Sequence, residues 1–571
     1  MIRPQTNAHR QAVDLSGVWR IRFDDGGWSG GIGSGDEVYD IAVPGSWNEQ
    51  LAEAGFMNHV GAAWLETRFL VPDGERRLLR FGSADYFAQV WVNGRQAGSS
   101  GAPMLPFELD ITELTTAGEM ATLVVRVTNE LPPDGPTQRV TRDDYAAEGR
   151  PRDEYLPAVR FDFFPYGGLN RPVHLVVTPA AVITRYRVDT SMDGLVRVTA
   201  EATGGTTIRL KVGEGAVEAP LSTGSTELVL RVDDVRLWSP EHPHLYHLAI
   251  ELLDGNRTID LVEQQIGIRE VRVDGTQLLL NGRRIELKGF GKHEDSPIRG
   301  RGLDLPLLVK DFGLIHWTGA NSVRTSHYPY AEEFYDFADR HGILVIDEVF
   351  SINLDFRKVT EATLAAHKQA ISELIERDGN RACVIAWSLA NEPGYLAEPE
   401  YQERSGAYWK ALFDHARGLD PSRPLTHANV GYVGADDPAF DHADIVAINR
   451  YHGWYSEPGQ LDRAATALKQ DLDALAKHGK PIFVAEFGAD ALAGQHASYD
   501  QLFTEEYQAR LVETYWRVIS DHPACIGGHV WNFADFRTAQ HGRRVVYNLK
   551  GVFTRNRDPK AAAWTLRGLW R

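Results

Sequence analysis

From about residue 60 to residue 180, short apolar runs recur at close spacing and are cut by turn formers. "LLRFGS", "AQVWVNG", "ATLVVRVTNE" and "RPVHLVVTP" cluster or alternate β-forming residues and end at Gly, Asn, Asp or Pro, which predicts strands rather than helices. The spacing predicts a jelly-roll-type β-sandwich over residues 1–182. A second set, "ITRYRVDTS", "LVRVTAEAT", "TIRLKVG", "TELVLRVDD", "YHLAIELLD" and "REVRVDG", predicts a smaller, immunoglobulin-like sandwich over 183–274. After "LLLNGRRIELKG" the period changes. Eight short apolar strands, "RIELKGF", "ANSVRTSH", "ILVIDEV", "CVIAWSLANE", "LTHANV", "IVAINRY", "IFVAEFG" and "CIGGHVWNF", now alternate with amphipathic stretches such as "ATLAAHKQAISELIERDG" and "EEYQARLVETYWRVISDH". Eight β-α units over 275–571 predict a closed (β/α)8 TIM barrel. An open doubly wound sheet fits less well, because no Gly-rich phosphate turn follows any of the strands. The fold class is thus two all-β sandwiches followed by an α/β barrel.

Composition narrows the function. The 571 residues include 60 basic and 78 acidic side chains, a net charge of −18, and carry no basic stripe, which argues against a nucleic-acid partner. No apolar run reaches the roughly 18 residues of a membrane span, so no membrane partner is expected. Cys383 and Cys525, the two cysteines, each sit inside an apolar strand-like run and read as core residues of a protein from a reducing compartment. "MIRPQTNAHRQAVDLSGVWRIRF" has no apolar h-region, so a cytoplasmic location is the expectation.

In a barrel the chemistry lies where the strands end. Those ends carry His293, Arg324 with His327, Asp347-Glu348, Asn391-Glu392, His427, Asn449 with Tyr451, Glu486, and Trp531-Asn532, few of which suit a packed core. Glu392 follows the run "CVIAWSLAN" and precedes Pro393, which cannot donate to a ladder, so it is expected where strand becomes loop. Glu486 ends the seventh strand, across the mouth. Two facing carboxylates suit glycoside hydrolysis, in which one protonates the leaving oxygen and the other attacks the anomeric carbon. Asp347-Glu348 is a weaker pair, since adjacent strand residues point to opposite faces.

"NSVRTSHYPYAEEFYDFADRHGILVI" and "NRACVIAWSLANE" resemble the two long signatures of glycoside hydrolase family 2. "KGFGKHED", "NRYHGWY", "AEFGAD", "VWNFADF" and "NLKGVFTRNRDPK" are similar to motifs of its glucuronide-cleaving members. The resemblance spans residue 14 to the end, and the family's order of domains, a sugar-binding-like sandwich, an immunoglobulin-like domain and a (β/α)8 barrel, is the order read above. It implies Glu392 as general acid/base and Glu486 as nucleophile. It implies sugar contacts from Asp162, His327, Asn391, Asn449, Tyr451, Tyr455, Trp531 and Arg544, and recognition of a substrate carboxylate by Asn548 and Lys550. It further implies a β-D-glucuronide substrate, small or oligosaccharide, no cofactor and a homo-oligomer. One stretch departs: "VFSINLDFRKVTEAT", after the third strand, is short where some relatives carry a long loop over the aglycone.

The residues support that reading on their own chemistry. Arg324 on the second strand can hold Glu486 ionised by charge pairing, with His293 supporting the site. The acid must instead keep its proton until the glycosidic bond breaks. Trp531 offers an apolar ring for a sugar face. In "YNLKG", Lys550 can pair with a carboxylate at C6 while Asn548 donates an amide N–H, contacts from which a neutral sugar would gain little. A metal-dependent hydrolase built on His293 and His327 is disfavoured, because the chain has no H-x-H at the first strand and no HExxH. His242, His244 and His247 fall in the second sandwich and read as a polar turn, so no metal is expected. A sugar-binding protein with a dead barrel is disfavoured by the presence of both glutamates.

Overall fold

The computed structural model describes residues 1–24, 32, 37–149, 154–394 and 399–571. The pleat of the first sandwich is plainest along Phe87–Val92, where every second side chain is buried. A six-stranded antiparallel sheet runs in the order Tyr39–Val43, Gly17–Phe23, Ala62–Leu70, Met120–Thr128, Phe87–Val92 and Arg95–Ser100. It shares a core, including Trp19, Phe81, Val90, Val125 and Leu175, with a four-stranded sheet of Gln11–Asp14, Val173–Thr178, Arg76–Phe81 and Phe107–Asp110. The second sandwich pairs Val182–Thr190, Leu195–Thr203 and Ser225–Arg231 against a four-stranded sheet of Gly215–Pro220, Thr207–Val212, Tyr246–Asp254 and Arg257–Ile266. Val196, Val198, Leu210 and Ile250 fill it.

Eight parallel strands close the barrel: β1 (Leu287–Gly291), β2 (Ser322–Arg324), β3 (Leu344–Glu348), β4 (Val384–Asn391), β5 (Leu425–Asn429), β6 (Val446–Asn449), β7 (Ile482–Phe487) and β8 (Cys525–Val530). β1 pairs with both β2 and β8, so the sheet has no free edge. The strands are mostly apolar because helices cover one face and the packed interior the other, and every residue of β4 is buried. Around them lie α1 (Leu305–Thr318), α2 (Glu332–His341), α3 (Glu361–Asp378), α4 (Pro399–Leu419), α5 (Leu461–Leu475), α6 (Glu505–Asp521) and α7 (Ala561–Trp570). Side-chain caps from Asp304, Thr360 and Thr504 satisfy backbone N–H groups at the starts of α1, α3 and α6.

Two expectations need correcting. The eight-stranded α/β barrel forms as expected, but one unit departs in detail: among the described residues β5 is followed by a single 3₁₀ turn, Pro438–Asp441, in place of an α-helix. "VGYVGADDPAFDHAD", between β5 and β6, is too rich in Gly, Asp and Pro to sustain a helix. β2 also stops at Arg324, so His327 lies in the loop beyond it.

The first sandwich makes one long excursion. Between Met120–Thr128 and Val173–Thr178 the chain leaves the sheet and crosses onto the barrel. Thr137 bonds with the Phe350 carbonyl (3.0 Å) and the Ile352 N–H (3.1 Å), and Leu156 exchanges backbone hydrogen bonds with Gln540. Arg160 pairs with Asp355 (3.1 Å), Arg357 with Glu148 (2.9 Å) and Lys358 with Asp144 (3.2 Å). The short loop after β3 is therefore covered by the first domain. On another side, Arg555 of the barrel bonds to Glu49 (2.5 Å), to Tyr166 (3.0 Å) and to Asp295. No helix among the described residues is long and apolar enough to cross a membrane.

Candidate active site

β4 delivers Asn391 and Glu392 to the mouth. The Asn391 N–H donates to Ser351 (2.8 Å) and the Glu392 N–H to the Ala428 carbonyl (2.9 Å), so the strand end is held from both sides. Glu392 itself has φ of 47°, a left-handed conformation that costs a non-glycine residue about 1–3 kcal/mol and recurs at functional sites. Its Oε1 accepts from Asn449 Nδ2 (2.9 Å), which also lies 3.2 Å from Asn391 Oδ1. Two residues after Asn449, the Tyr451 hydroxyl donates to Glu486 Oε2 (2.6 Å). The end of β6 thus touches both carboxylates, and the charge of Glu392 helps raise the pKa of Glu486.

Arg324 is the electrostatic centre of the floor. Its Nη2 donates to Glu486 Oε1, while Nη1 reaches both oxygens of Glu348 (2.9 and 2.7 Å). Burial opposes ionisation of Glu348, but Arg324, His327 (2.8 Å) and Ser388 (2.7 Å) hold its carboxyl down to about 2. Glu348 thereby takes much of the charge of Arg324. Burial consequently wins at Glu486 and pushes it up to about 8, against the pull of Arg324 and Tyr451. Burial also raises Glu392, whose carboxylate accepts from the Asn449 amide. Two raised carboxyls that interact electrostatically titrate as a pair that shares a proton. Glu486 accepts from a guanidinium and a hydroxyl, Glu392 from a neutral amide. The carboxylate therefore belongs at Glu486 and the proton at Glu392, whatever burial does to each alone. The expectation that Arg324 holds Glu486 ionised is thus incomplete: Arg324 does pair with it, but divides its charge with Glu348.

Asp347 points outward, where its Oδ1 accepts from Thr325 (3.0 Å) and Tyr335 (2.7 Å). His327 lies against Trp531, ring centroids 5.0 Å apart and planes 22° apart, and burial lowers its pKa, so the imidazole is neutral. Trp531 approaches closely because two neighbours lack side chains. A Cβ at Gly291 would meet its ring at 2.6 Å, and one at Gly488 its carbonyl oxygen at 2.1 Å. His293 packs on Phe536 and Trp531 and meets the Tyr328 hydroxyl at 3.2 Å. His427 does not join the site: it is buried against Asp437 (2.9 Å) and Trp409. Among the described residues no three His, Cys, Asp or Glu side chains form a group that could hold a metal ion.

A second cluster sits beside the first. Asp162, carried in by the excursion of the first sandwich, accepts from Arg544 Nε (3.0 Å) and Asn548 Nδ2 (2.7 Å). Arg544 also donates to the Tyr455 hydroxyl (2.9 Å). Lys550, 1 % exposed, donates to that same hydroxyl (3.0 Å) and to Asp490 (2.8 Å), beneath the rings of Tyr451, Trp454 and Tyr455. Asp162, Tyr455, Arg544, Asn548 and Lys550 therefore converge at one place. Sequence reasoning passed over Asp490, Trp454 and the inward role of Glu348. Asp490 and Trp454 lie inside "AEFGAD" and "NRYHGWY". The signal was physical: a buried lysine requires a counter-ion, and Asp490 is the first carboxylate beyond β7.

Known proteins share this arrangement of domains. The model of "Glycosyl hydrolases family 2, TIM barrel domain" matches residues 271–571, that of "Glycosyl hydrolases family 2" residues 175–269, and that of the family's sugar binding domain residues 15–179. A β-glucuronidase of Paenibacillus borealis is 39% identical, with 100% of this chain and 98% of the relative covered, and one of Felis catus is 36% identical, with 99% and 92% covered. Among solved structures, a β-glucuronidase of Ruminococcus gnavus in complex with D-glucuronic acid superposes with a TM-score of 0.90 at 34% identity, covering 100% and 99% of the two chains. The Bifidobacterium dentium β-glucuronidase complexed with coumarin-3-O-glucuronide gives a TM-score of 0.92 at 36% identity, covering 100% and 98%.

Proposed function

This chain belongs to glycoside hydrolase family 2, and we propose that it is a retaining β-glucuronidase whose nucleophile is Glu486 and whose acid/base is Glu392. It hydrolyses β-D-glucuronides to D-glucuronate and an aglycone. Glu486 attacks the anomeric carbon while Glu392 gives its proton to the departing glycosidic oxygen, leaving a glycosyl ester on Glu486. Esterification removes the charge that Glu392 faced, so Glu392 now acts as base toward a water that opens the ester. Retention requires carboxyl groups about 5–5.5 Å apart. Tyr451 and Arg324 stabilise the returning carboxylate. Asn391, Asn449, His327 and Trp531 line the sugar site, with Asp162 and Arg544 at its far side.

The observation that carries the substrate class is the buried Lys550 ammonium, packed on the ring of the Tyr451 that bonds to Glu486. A uronic acid supplies the anion that such a group fits. A charged hydrogen bond contributes about 1.5–3 kcal/mol, so losing one lowers catalytic efficiency about ten- to a hundredfold. A panel of 4-nitrophenyl β-glycosides that differ only in the sugar tests this. The glucuronide should exceed the glucoside and galactoside by at least about a hundredfold in kcat/KM, and comparable rates on all three would reject it. A reducing, cytoplasmic setting is supported by two buried free cysteines.

A further inference from the structure

Lys550 has three N–H donors, and two are already used inside the protein: one by Asp490 Oδ1 at 2.8 Å, one by the Tyr455 hydroxyl at 3.0 Å. Asp490 is 3 % exposed and makes its contact from a segment that cannot drift away from Lys550. The side-chain amide of buried Gln508, on α6, faces the carbonyls of Ala489 (2.9 Å), Lys550 (3.3 Å) and Gly551 (3.1 Å). The Ala491 N–H donates to the Leu549 carbonyl (3.0 Å), and the ammonium of Lys560 bonds to the carbonyls of both Ala491 (2.8 Å) and Leu549 (3.0 Å). The stretches 489–491 and 549–551 are thus stapled side by side on either flank of the Asp490–Lys550 pair. Asp490 also lies 3.6 Å from Arg544, so one carboxylate meets both cations of the cluster.

We propose that Asp490 is a positioning residue for substrate selection: it fixes the Lys550 ammonium so that its third N–H points to the carboxylate of the bound sugar. This rests on the reading of Lys550 as the group that recognises that carboxylate. An ammonium is a point charge on a flexible stem and has no directionality of its own. Asp490 and Tyr455 supply two of three tetrahedral partners, and the position left over is defined by them. Asp490 also balances a buried charge that would otherwise stand unpaired before substrate arrives. The enzyme then discriminates by where the N–H points, and not by excess positive charge.

The test compares kcat and KM of the wild type, Asp490→Asn, Asp490→Ala and Lys550→Ala on 4-nitrophenyl β-glucuronide and β-glucoside. Asp490→Ala is expected to raise KM for the glucuronide about ten- to a hundredfold, with a smaller change in kcat. Asp490→Asn, which keeps an acceptor oxygen, should recover part of the loss. The ratio of glucuronide to glucoside kcat/KM falls in both. An unchanged ratio, or a lower KM showing that Asp490 merely competes with substrate for the ammonium, overturns the proposal. If Asp490→Ala does not fold, the near-isosteric Asp490→Asn decides by the same two criteria. Lys550→Ala separates the two levels: should it leave the ratio unchanged, the reading of Lys550 itself is wrong. Should it collapse the ratio while the Asp490 variants do not, only the role of Asp490 fails.

Discussion

At the mouth of the barrel a tyrosine hydroxyl and a guanidinium share one carboxylate, and the proton balance of the site follows from them. Tyr451 donates to Glu486 and so favours its ionised form. Tyr451→Phe removes that donor and leaves burial, which raises Glu486, less opposed. The pKa of the proposed nucleophile then rises, and the acid limb of the pH–kcat/KM profile should move to higher pH. A limb that stays put or moves to lower pH would contradict the assignment. On the alkaline side activity fails when the pair loses its shared proton. Burial raises both carboxyls, Glu486 to about 8, so the profile should extend above the range of ordinary carboxylates. Replacing the proposed acid, Glu392→Gln, should leave attack on a 2,4-dinitrophenyl glucuronide largely intact, because that leaving group departs without protonation, and should suppress hydrolysis of a phenyl glucuronide. The two glutamates were legible because each ends an apolar strand, where a carboxylate is too costly to be incidental. The division of Arg324 between Glu486 and Glu348 was not, since it depends on which face of β3 Glu348 occupies.

Among elements, the strands of the barrel were the most readable part, since sheets covered on both faces must be continuously apolar. Boundaries and connections were less so. Nothing in periodicity marks the end of β2 at Arg324, and the missing helix after β5 shows only as Gly, Asp and Pro. The excursion between the last strands of the first sandwich was invisible as structure, because the contacts that fix its course over the barrel, such as Thr137 with Phe350 and Leu156 with Gln540, lie far away in the chain. The junction of β7 and β8 can be tested directly. Gly488→Ala would place a methyl group 2.1 Å from the Trp531 backbone oxygen, which cannot swing aside like a side chain. Overpacking of this kind costs about 1–3 kcal/mol. The variant should have a lower urea midpoint and lose activity in excess of its lost stability, because Glu486 and Trp531 move apart. A wild-type midpoint would show that the two strand ends are not in contact.

Across the whole molecule, the first sandwich and the barrel are joined by charge as well as by shape. Partly buried Glu332, at the start of α2, pairs with Arg80 of the first sandwich (2.8 Å). Burial works against its ionisation, yet Arg80, Arg3, Arg377 and Arg381 hold the carboxyl down to about 2. A carboxyl whose folded pKa is depressed stabilises the fold above its unfolded pKa, about 4.3, and that contribution is lost as pH falls toward 2. The thermal midpoint should therefore drop on acidification below about pH 4.3, and Glu332→Gln should flatten the drop while lowering the midpoint at neutral pH. An equally steep acid loss in the variant would place the sensitive group elsewhere. The same junction brings Asp162 to the pocket, a placement that the residues alone did not predict and that only the family resemblance supplied.

Glu486 is proposed to form a covalent glycosyl ester during hydrolysis of a glucuronide. Treating the enzyme with 2-deoxy-2-fluoro-β-D-glucuronyl fluoride slows both steps but spares the first by its good leaving group, so the ester should accumulate. Mass spectrometry of the digested protein should then find the fluoroglucuronyl group on the peptide that contains Glu486, and not on the one that contains Glu392. Inactivation with the label on any other residue, or turnover with no label at all, would show that Glu486 is not the nucleophile.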